Sequence, residues 1–391
     1  VTAVHGVVEP GFEGVRDALA EAVRPGSGAA VAVRLHGRPV VDLWAGEAGA
    51  EEPWREDTLS VVFSCTKGLV SLLAARLVQE GLLDYDARVA EYWPEFAAAG
   101  KADVRVQDLL AHRAGLSAPR LPLTTADLAD WDLVAGRLAE QEPLWEPGTG
   151  YAYHPITHGW LIGEVIRRVT GRSVGAAFQE RIAGPVGAEA WIGLPASEQG
   201  RVATMLVGPT LAELTAAQAA ARTPGVVDWG ERAMTLGGAL PVELVGPGTG
   251  FNDPMLQAAE IPGAGGIGSA RALAAIWSAA FTETDGVRLF EDATIERATA
   301  PLSSGPPVWP VPGPWPAWGC GFQLSTDARR YLTPSGFGHD GAGGQVAFAD
   351  PDAGVGFAFL TNRMEGVGDV RATRVVEALA TALRLPVPRG L

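Results

Sequence analysis

Residues 61–69 read VVFSCTKGL, an apolar run followed by a serine and, three positions later, a lysine. From Ser64 to Gln79 the apolar residues keep helical spacing until Gly81 stops it. Residues three apart on a helix share a face and lie about 4.5 Å apart along the axis, so Ser64 and Lys67 can touch. Free N–H groups and the macrodipole at a helix's first turn favour negative charge, which lowers the pKa of a lysine there and helps to hold an oxyanion. Burial lowers that pKa further. The stretch reads either as an N-cap serine followed by a solvated lysine, or as a nucleophile with its base one turn along. Composition favours the second. Among 30 basic residues only Lys67 and Lys101 are lysines, so where this chain needs just a positive charge it uses arginine.

Working outward, GFEGVRDALAEAV has the spacing of an amphipathic helix, and AAVAVRLHG and PVVDLWAG read as two strands about a turn at Gly37 and Arg38. The middle of the chain is helix and loop, with VRVQDLLAHRAGL a helix ending at Gly115 and HGWLIGEVIRRVTG one ending at Gly171. Strand patterns return at 319–324, 345–349 and 354–360, and a last helix runs from about Asp369 to Leu383. The fold class is therefore α/β (α+β). Residues 1–82 and 263–391 are expected to form a discontinuous sheet domain around an inserted, mainly helical domain, 83–262. Within it, 208–262 is rich in Gly and Pro with weak periodicity, the composition of a lid or pocket-lining segment.

With 391 residues, 47% hydrophobic and 19% charged, the chain can bury a large core. A formal charge of −15 argues against nucleic acid and anionic membranes as partners and for small neutral or apolar ligands. No apolar run reaches the roughly 18 residues that span a bilayer, and VTAVHGVVEP lacks the basic and apolar regions of a signal peptide. The expectation is a cytoplasmic protein. Cys65 and Cys320 are too few for a disulfide framework or a metal cluster.

A Ser-Lys pair needs a second proton carrier for its leaving group, and tyrosine is suited to that role. WEPGTGYAYHPITHGWLIGE places Tyr151 and Tyr153 in a loop before a helix, where catalytic groups are often found. An aromatic loop packed on its helix would look the same.

With both motifs in view, the chain resembles the class C β-lactamase and DD-peptidase superfamily of serine hydrolases, and most closely the family VIII carboxylesterases, over nearly its whole length. The S-x-x-K motif appears as Ser64, Cys65, Thr66 and Lys67. The tyrosine six residues after the proline of a Pro-Gly turn is Tyr153, counted from Pro147. The third motif, Lys-Thr-Gly in β-lactamases and His-x-Gly in many esterases, matches His339, Asp340 and Gly341. The resemblance implies a β-lactamase/DD-peptidase-like fold, an antiparallel sheet flanked by helices. It implies Ser64 as nucleophile, Lys67 and Tyr153 as coupled base and acid, and the backbone N–H groups of Ser64 and Ala342 as oxyanion hole. His339 and Gly341 would line the substrate site, His339 bonding substrate or Tyr153 and titrating near neutrality. No metal or organic cofactor is implied. Where a β-lactamase has Tyr-x-Asn this chain has Tyr153, His154 and Pro155, and no lysine stands in the third motif to receive an antibiotic's carboxylate. Both departures favour an ester over a β-lactam.

Other features compete. Ser173 sits in a G-x-S-x-G pattern, but between two helical segments rather than after a strand, so it reads as an N-cap. Cys65 points about 100° away from Ser64 around the helix and reads as core. His112 could shape the cleft or simply end a helix. His154 and His158 have a metal-like spacing without the glutamate of H-E-x-x-H. The run GPPVWPVPGPWPAWGCG carries Trp309, Trp315 and Trp318 between stiffening prolines and reads as an apolar wall of the substrate site.

The expected function is a serine hydrolase that cleaves esters of small to medium acyl groups. β-Lactamase, D-amino-acid peptidase or amidase, and acyltransferase are rivals using the same acyl-enzyme. A non-catalytic penicillin-binding-like sensor is the rival from another class.

Overall fold

The computed structural model describes residues 2–366 and 368–388. It begins with strand β1 (Val4–Val8) and helix α1 (Glu13–Ala22), which turns Val15, Leu19 and Ala22 inward. Strands β2 (Gly28–Leu35) and β3 (Arg38–Gly49) follow as a hairpin. Its turn lies at His36 and Gly37, both with positive φ (47° and 82°), one residue earlier than the sequence suggested. Arg38 is already paired with Leu35, and a two-residue hairpin turn matches the sheet's twist when both central residues are left-handed.

Helix α2 (Cys65–Gln79) buries 12 of its residues. Such a helix is hydrophobic all round and belongs in a core. Helix α3 (Thr157–Thr170) ends as expected at Gly171, in the left-handed conformation. Helix α4 (Ala270–Ala279) precedes the strands β4 (Ala317–Trp318), β5 (Gln323–Leu324), β6 (Phe337–Gly341), β7 (Gln345–Asp350) and β8 (Val355–Thr361), and helix α5 (Arg371–Ala382) follows them.

These strands make one antiparallel sheet in the order β1-β3-β2-β8-β7-β6-β5-β4, with Glu52–Pro53 added beside β3. The two halves of the chain meet where β2 pairs with β8, Ala29 opposite Thr361 and Leu35 opposite Val355. Alternation along β8 explains the layers, because successive side chains leave opposite faces. Phe357 and Phe359 pack with Val15, Leu19, Val375 and Leu379 of the terminal helices. Ala358 and Leu360 join the cluster that contains Trp277 of α4 and Leu69 of α2. Each large side chain so buried contributes roughly 1.5–3 kcal/mol.

Between Val89 and Ala258 the strands are only two or three residues long and the rest is helix and loop. The helix read over VRVQDLLAHRAGL spans only Val106–Leu110. His112 has φ of 62°, which ends the helix three residues before Gly115 and sends the histidine ring inward. The weakly periodic stretch 208–262 contains helices Pro209–Ala220 and Trp229–Thr235. The first buries only Thr215, so it has no apolar stripe for a periodicity reading to find.

Candidate active site

A short strand, Ser60–Val61, leads into Phe63, whose φ of 45° is left-handed, and α2 starts immediately afterwards. A non-glycine residue in that region is a local strain, here spent on a sharp strand-to-helix turn that presents Ser64. The Ser64 side chain makes no capping bond to the helix and is partly exposed. Lys67, one turn on, is fully buried. Lys67 Nζ lies 3.0 Å from Ser64 Oγ, and it donates to Gly263 O at 2.7 Å and to Pro155 O. Gly263 comes that close because it packs against Gly159 of α3, where a Cβ would stand 2.0 Å from Gly263 N.

Burial pushes the Lys67 pKa well below that of a free lysine, with a smaller opposing effect from Cys65. A neutral amine has two N–H groups and one lone pair. In that form the two carbonyls take both N–H groups, which leaves the lone pair for the Ser64 hydroxyl.

Tyr153 stands over this pair. Lys67 Nζ is 4.8 Å from its ring centroid, and the ring stacks on Trp318 with centroids 5.3 Å apart. Burial raises the Tyr153 pKa, while a hydrogen bond with the Ser64 side chain acts in the opposite direction. The neighbouring Tyr151 is spoken for elsewhere, its hydroxyl donating to Gly305 O at 2.6 Å. The structure thus separates the two tyrosines that the loop sequence left equivalent.

The third motif lies at the end of β6. Gly341 is required there, since a Cβ would meet Val62 O at 2.4 Å; the close approach brings Ala342 beside the chain entering Ser64. Neither the Ser64 nor the Ala342 N–H donates within the protein among the described residues. His339 is buried, its Nδ1 donating to Asp340 O at 2.6 Å, and its Nε2 has no partner. Its pKa is lowered to about 3, chiefly by burial and then by Lys67. This corrects the expectation that His339 titrates near neutrality.

Sequence reading missed how many rings converge here. His112 packs edge-on to Tyr153 (4.9 Å) and Trp318 (4.6 Å), and His158 lies 5.0 Å from His112. His154 donates from Nδ1 to Ala152 O and accepts the Leu116 N–H at Nε2, so both its nitrogens are engaged within the protein and the metal-like spacing with His158 is not used. A signal existed for His112, since a histidine placed directly after the run Leu109–Leu110–Ala111 is carried inward with it. Of the three wall tryptophans, Trp318 is in the ring cluster and Trp309 reaches it through Trp145, which packs on His154. Trp315 is 37% exposed, with its N–H bonded to Val311 O in its own loop. Ser173 caps the helix Val174–Phe178 and bonds Glu260 at 2.6 Å.

A partly exposed serine, a buried lysine whose pKa burial lowers and a tyrosine stacked beside both are thus brought together at one place. The Beta-lactamase family matches residues 15–382, and the chain belongs to that family. It is 37% identical over 378 residues to the Esterase/beta-lactamase LipL of Mycobacterium tuberculosis (strain ATCC 25618 / H37Rv), covering 92% of this chain and 83% of that protein. A crystal structure of a family VIII carboxylesterase matches with a TM-score of 0.85 and 38% identity, over 97% of this chain and 100% of that one. A penicillin-binding protein homologue from Caulobacter crescentus matches with a TM-score of 0.84 and 37% identity, over 97% and 100% of the two chains. No helix among the described residues is long and apolar enough to cross a membrane.

Proposed function

We propose that the chain is a carboxylesterase that works through an acyl-enzyme on Ser64. The observation that carries this reading is the Lys67 environment, in which burial favours a neutral amine and two carbonyls take its N–H groups, leaving the lone pair to face the Ser64 hydroxyl. Ser64 Oγ attacks the ester carbonyl as its proton passes to Lys67 Nζ. The N–H groups of Ser64 and Ala342 hold the oxyanion. The proton then reaches the leaving alkoxide through Tyr153, and the C–O bond to the alcohol breaks. Water enters, the same groups carry its proton in reverse, and the acid leaves.

The charge balance selects the substrate class. Lys67 is enclosed and favours its neutral form, and His339 is held neutral, so the cluster offers no cation to a carboxylate. Pro155, at the position of the β-lactamase asparagine, spends its carbonyl on Lys67. Uncharged esters of small to medium acyl groups fit these terms better than an anionic antibiotic, with His339, Gly341, Trp309 and Trp318 lining the approach. The test is intact mass with peptide mapping after brief exposure to a p-nitrophenyl ester, with released phenol followed in the same tube. An adduct on the Ser64 peptide, and turnover abolished in Ser64→Ala, is the expected result; an adduct elsewhere, or normal turnover in that variant, would overturn the reading.

A further inference from the structure

The N–H of Ala342 is useful only if its turn stays in place, and the turn itself is poorly suited to do so. Residues 341–344 read Gly-Ala-Gly-Gly, with φ of 80° at Gly343 and 112° at Gly344. The backbone bond Gly344 N to Gly341 O is long, at 3.3 Å. Glycine gives such a turn its shape but not its rigidity.

What grips it comes from the far end of the chain. Arg371, the first residue of α5, is 5% exposed, and its Nη2 donates to Gly343 O at 2.9 Å and to Arg363 O at 2.8 Å. Its Nη1 reaches Thr361 Oγ1 at the end of β8. Asp369 takes the other side of the guanidinium, with Nε to Oδ1 at 2.9 Å and Nη2 to Oδ2 at 2.7 Å, a two-pronged contact that fixes the plane of the fork. Gln345, just after the turn, is tied to the same strand end by paired bonds with Thr361. The turn carrying Ala342 is thus fastened to the exit of β8 through a planar, five-donor group that a lysine cannot imitate.

We propose that Arg371, aligned by Asp369, is a positioning residue that sets the Ala342 N–H for the oxyanion. The inference rests on the esterase reading above. It assigns a role in the reaction to a residue that touches no substrate.

The experiment compares a p-nitrophenyl ester with its thionoester analogue, in which sulfur replaces the carbonyl oxygen, for the parent protein, Arg371→Lys and Asp369→Asn. A hole shaped for oxygen discriminates against the larger, more weakly accepting sulfur. Misplacing a donor by a fraction of an ångström is expected to lower kcat for the oxygen ester about 10- to 100-fold. KM should stay within about twofold and the oxygen-to-sulfur rate ratio should fall toward one, with Arg371→Lys the more affected. An unchanged ratio, with activity falling only in step with the folded fraction, would overturn the proposal. So would two variants that both melt below the assay temperature, because the pair would then be holding the fold and not the turn. A parent that forms no Ser64 adduct would instead fail the underlying reading, which separates the two.

Discussion

The ring of Tyr153 lies against the indole of Trp318, with centroids 5.3 Å apart and planes 16° from parallel. Trp318 is 3% exposed, so its indole is a fixed surface on which the tyrosine is laid. A stacked pair contributes about 0.5–1.5 kcal/mol beyond its buried area, and the more important effect is to hold the phenol near Ser64. Trp318→Phe is expected to lower kcat by less than about tenfold. Trp318→Ala should lose about 3–5 kcal/mol of stability and a larger share of kcat. Steady-state kinetics with thermal melting checks this, and an alanine variant with the parent's kcat would show that Tyr153 needs no such support.

Lys67 is expected to act by losing its proton, which two substitutions and a pH profile test together. Lys67→Arg keeps donors for Pro155 O and Gly263 O but cannot deprotonate; Lys67→Ala leaves both carbonyls unpaired. Both should lose at least about 10³-fold in kcat/KM, and both should be destabilised, the arginine variant by a buried charge it cannot shed and the alanine variant by the unpaired carbonyls. Burial has moved the Lys67 pKa down, so kcat/KM should rise with pH as the amine is freed and reach its plateau below the range of an ordinary lysine. His339→Asn should leave that acid limb in place, because His339 does not titrate there. A limb that moves with His339 would transfer the base role to the histidine.

The difference between what could be read in the chain and what could not is one of distance. Ser64 and Lys67 are related by a single helical turn, so local geometry suffices, and β2 and β8 announce themselves by unbroken apolar runs. The pairing of His112, Tyr153, Trp318 and His339 depends on two loops and the strands β4 and β6 meeting at one point, for which no local spacing codes. Trp315 shows the opposite hazard. Its proline-bounded setting looks like that of Trp318, yet one indole is buried in the site and the other is bonded to its own loop. Composition could not tell them apart, because neighbours in space decide burial.

Ser173 provides a control within the same chain. Its hydroxyl accepts the Ala176 N–H and donates to Glu260, the contacts of a helix cap. Ser173→Ala should cost about 1 kcal/mol in urea unfolding and leave kcat/KM within about twofold. A loss of activity without a loss of stability would return the G-x-S-x-G pattern to contention.

Four buried histidines surround the site, and their protonation should govern the acid limit of the fold. His154 and His339 have pKa values lowered to about 3, and His112 and His158 are well below the usual 6.5, burial being the main cause in each. In the unfolded chain all four titrate near 6.5. Below that pH the unfolded state binds protons that the native state refuses, so stability is full above about pH 6.5 and is lost as pH falls toward 3. Each histidine contributes a slope of about 1.4 kcal/mol per pH unit, and four together up to about 5. A domain of ordinary stability, about 5–15 kcal/mol, should therefore unfold within a few units below neutrality. His158 gives the sharpest test, because burial holds its pKa well below the usual value and the Leu110 backbone opposes this only weakly. His158→Phe removes one proton of uptake, so urea midpoints measured between pH 7.5 and 5 should fall less steeply than in the parent, whatever the offset at pH 7.5. Equal slopes would mean that His158 is protonated in the native fold, and the acid limit would then have to be sought among the carboxylates.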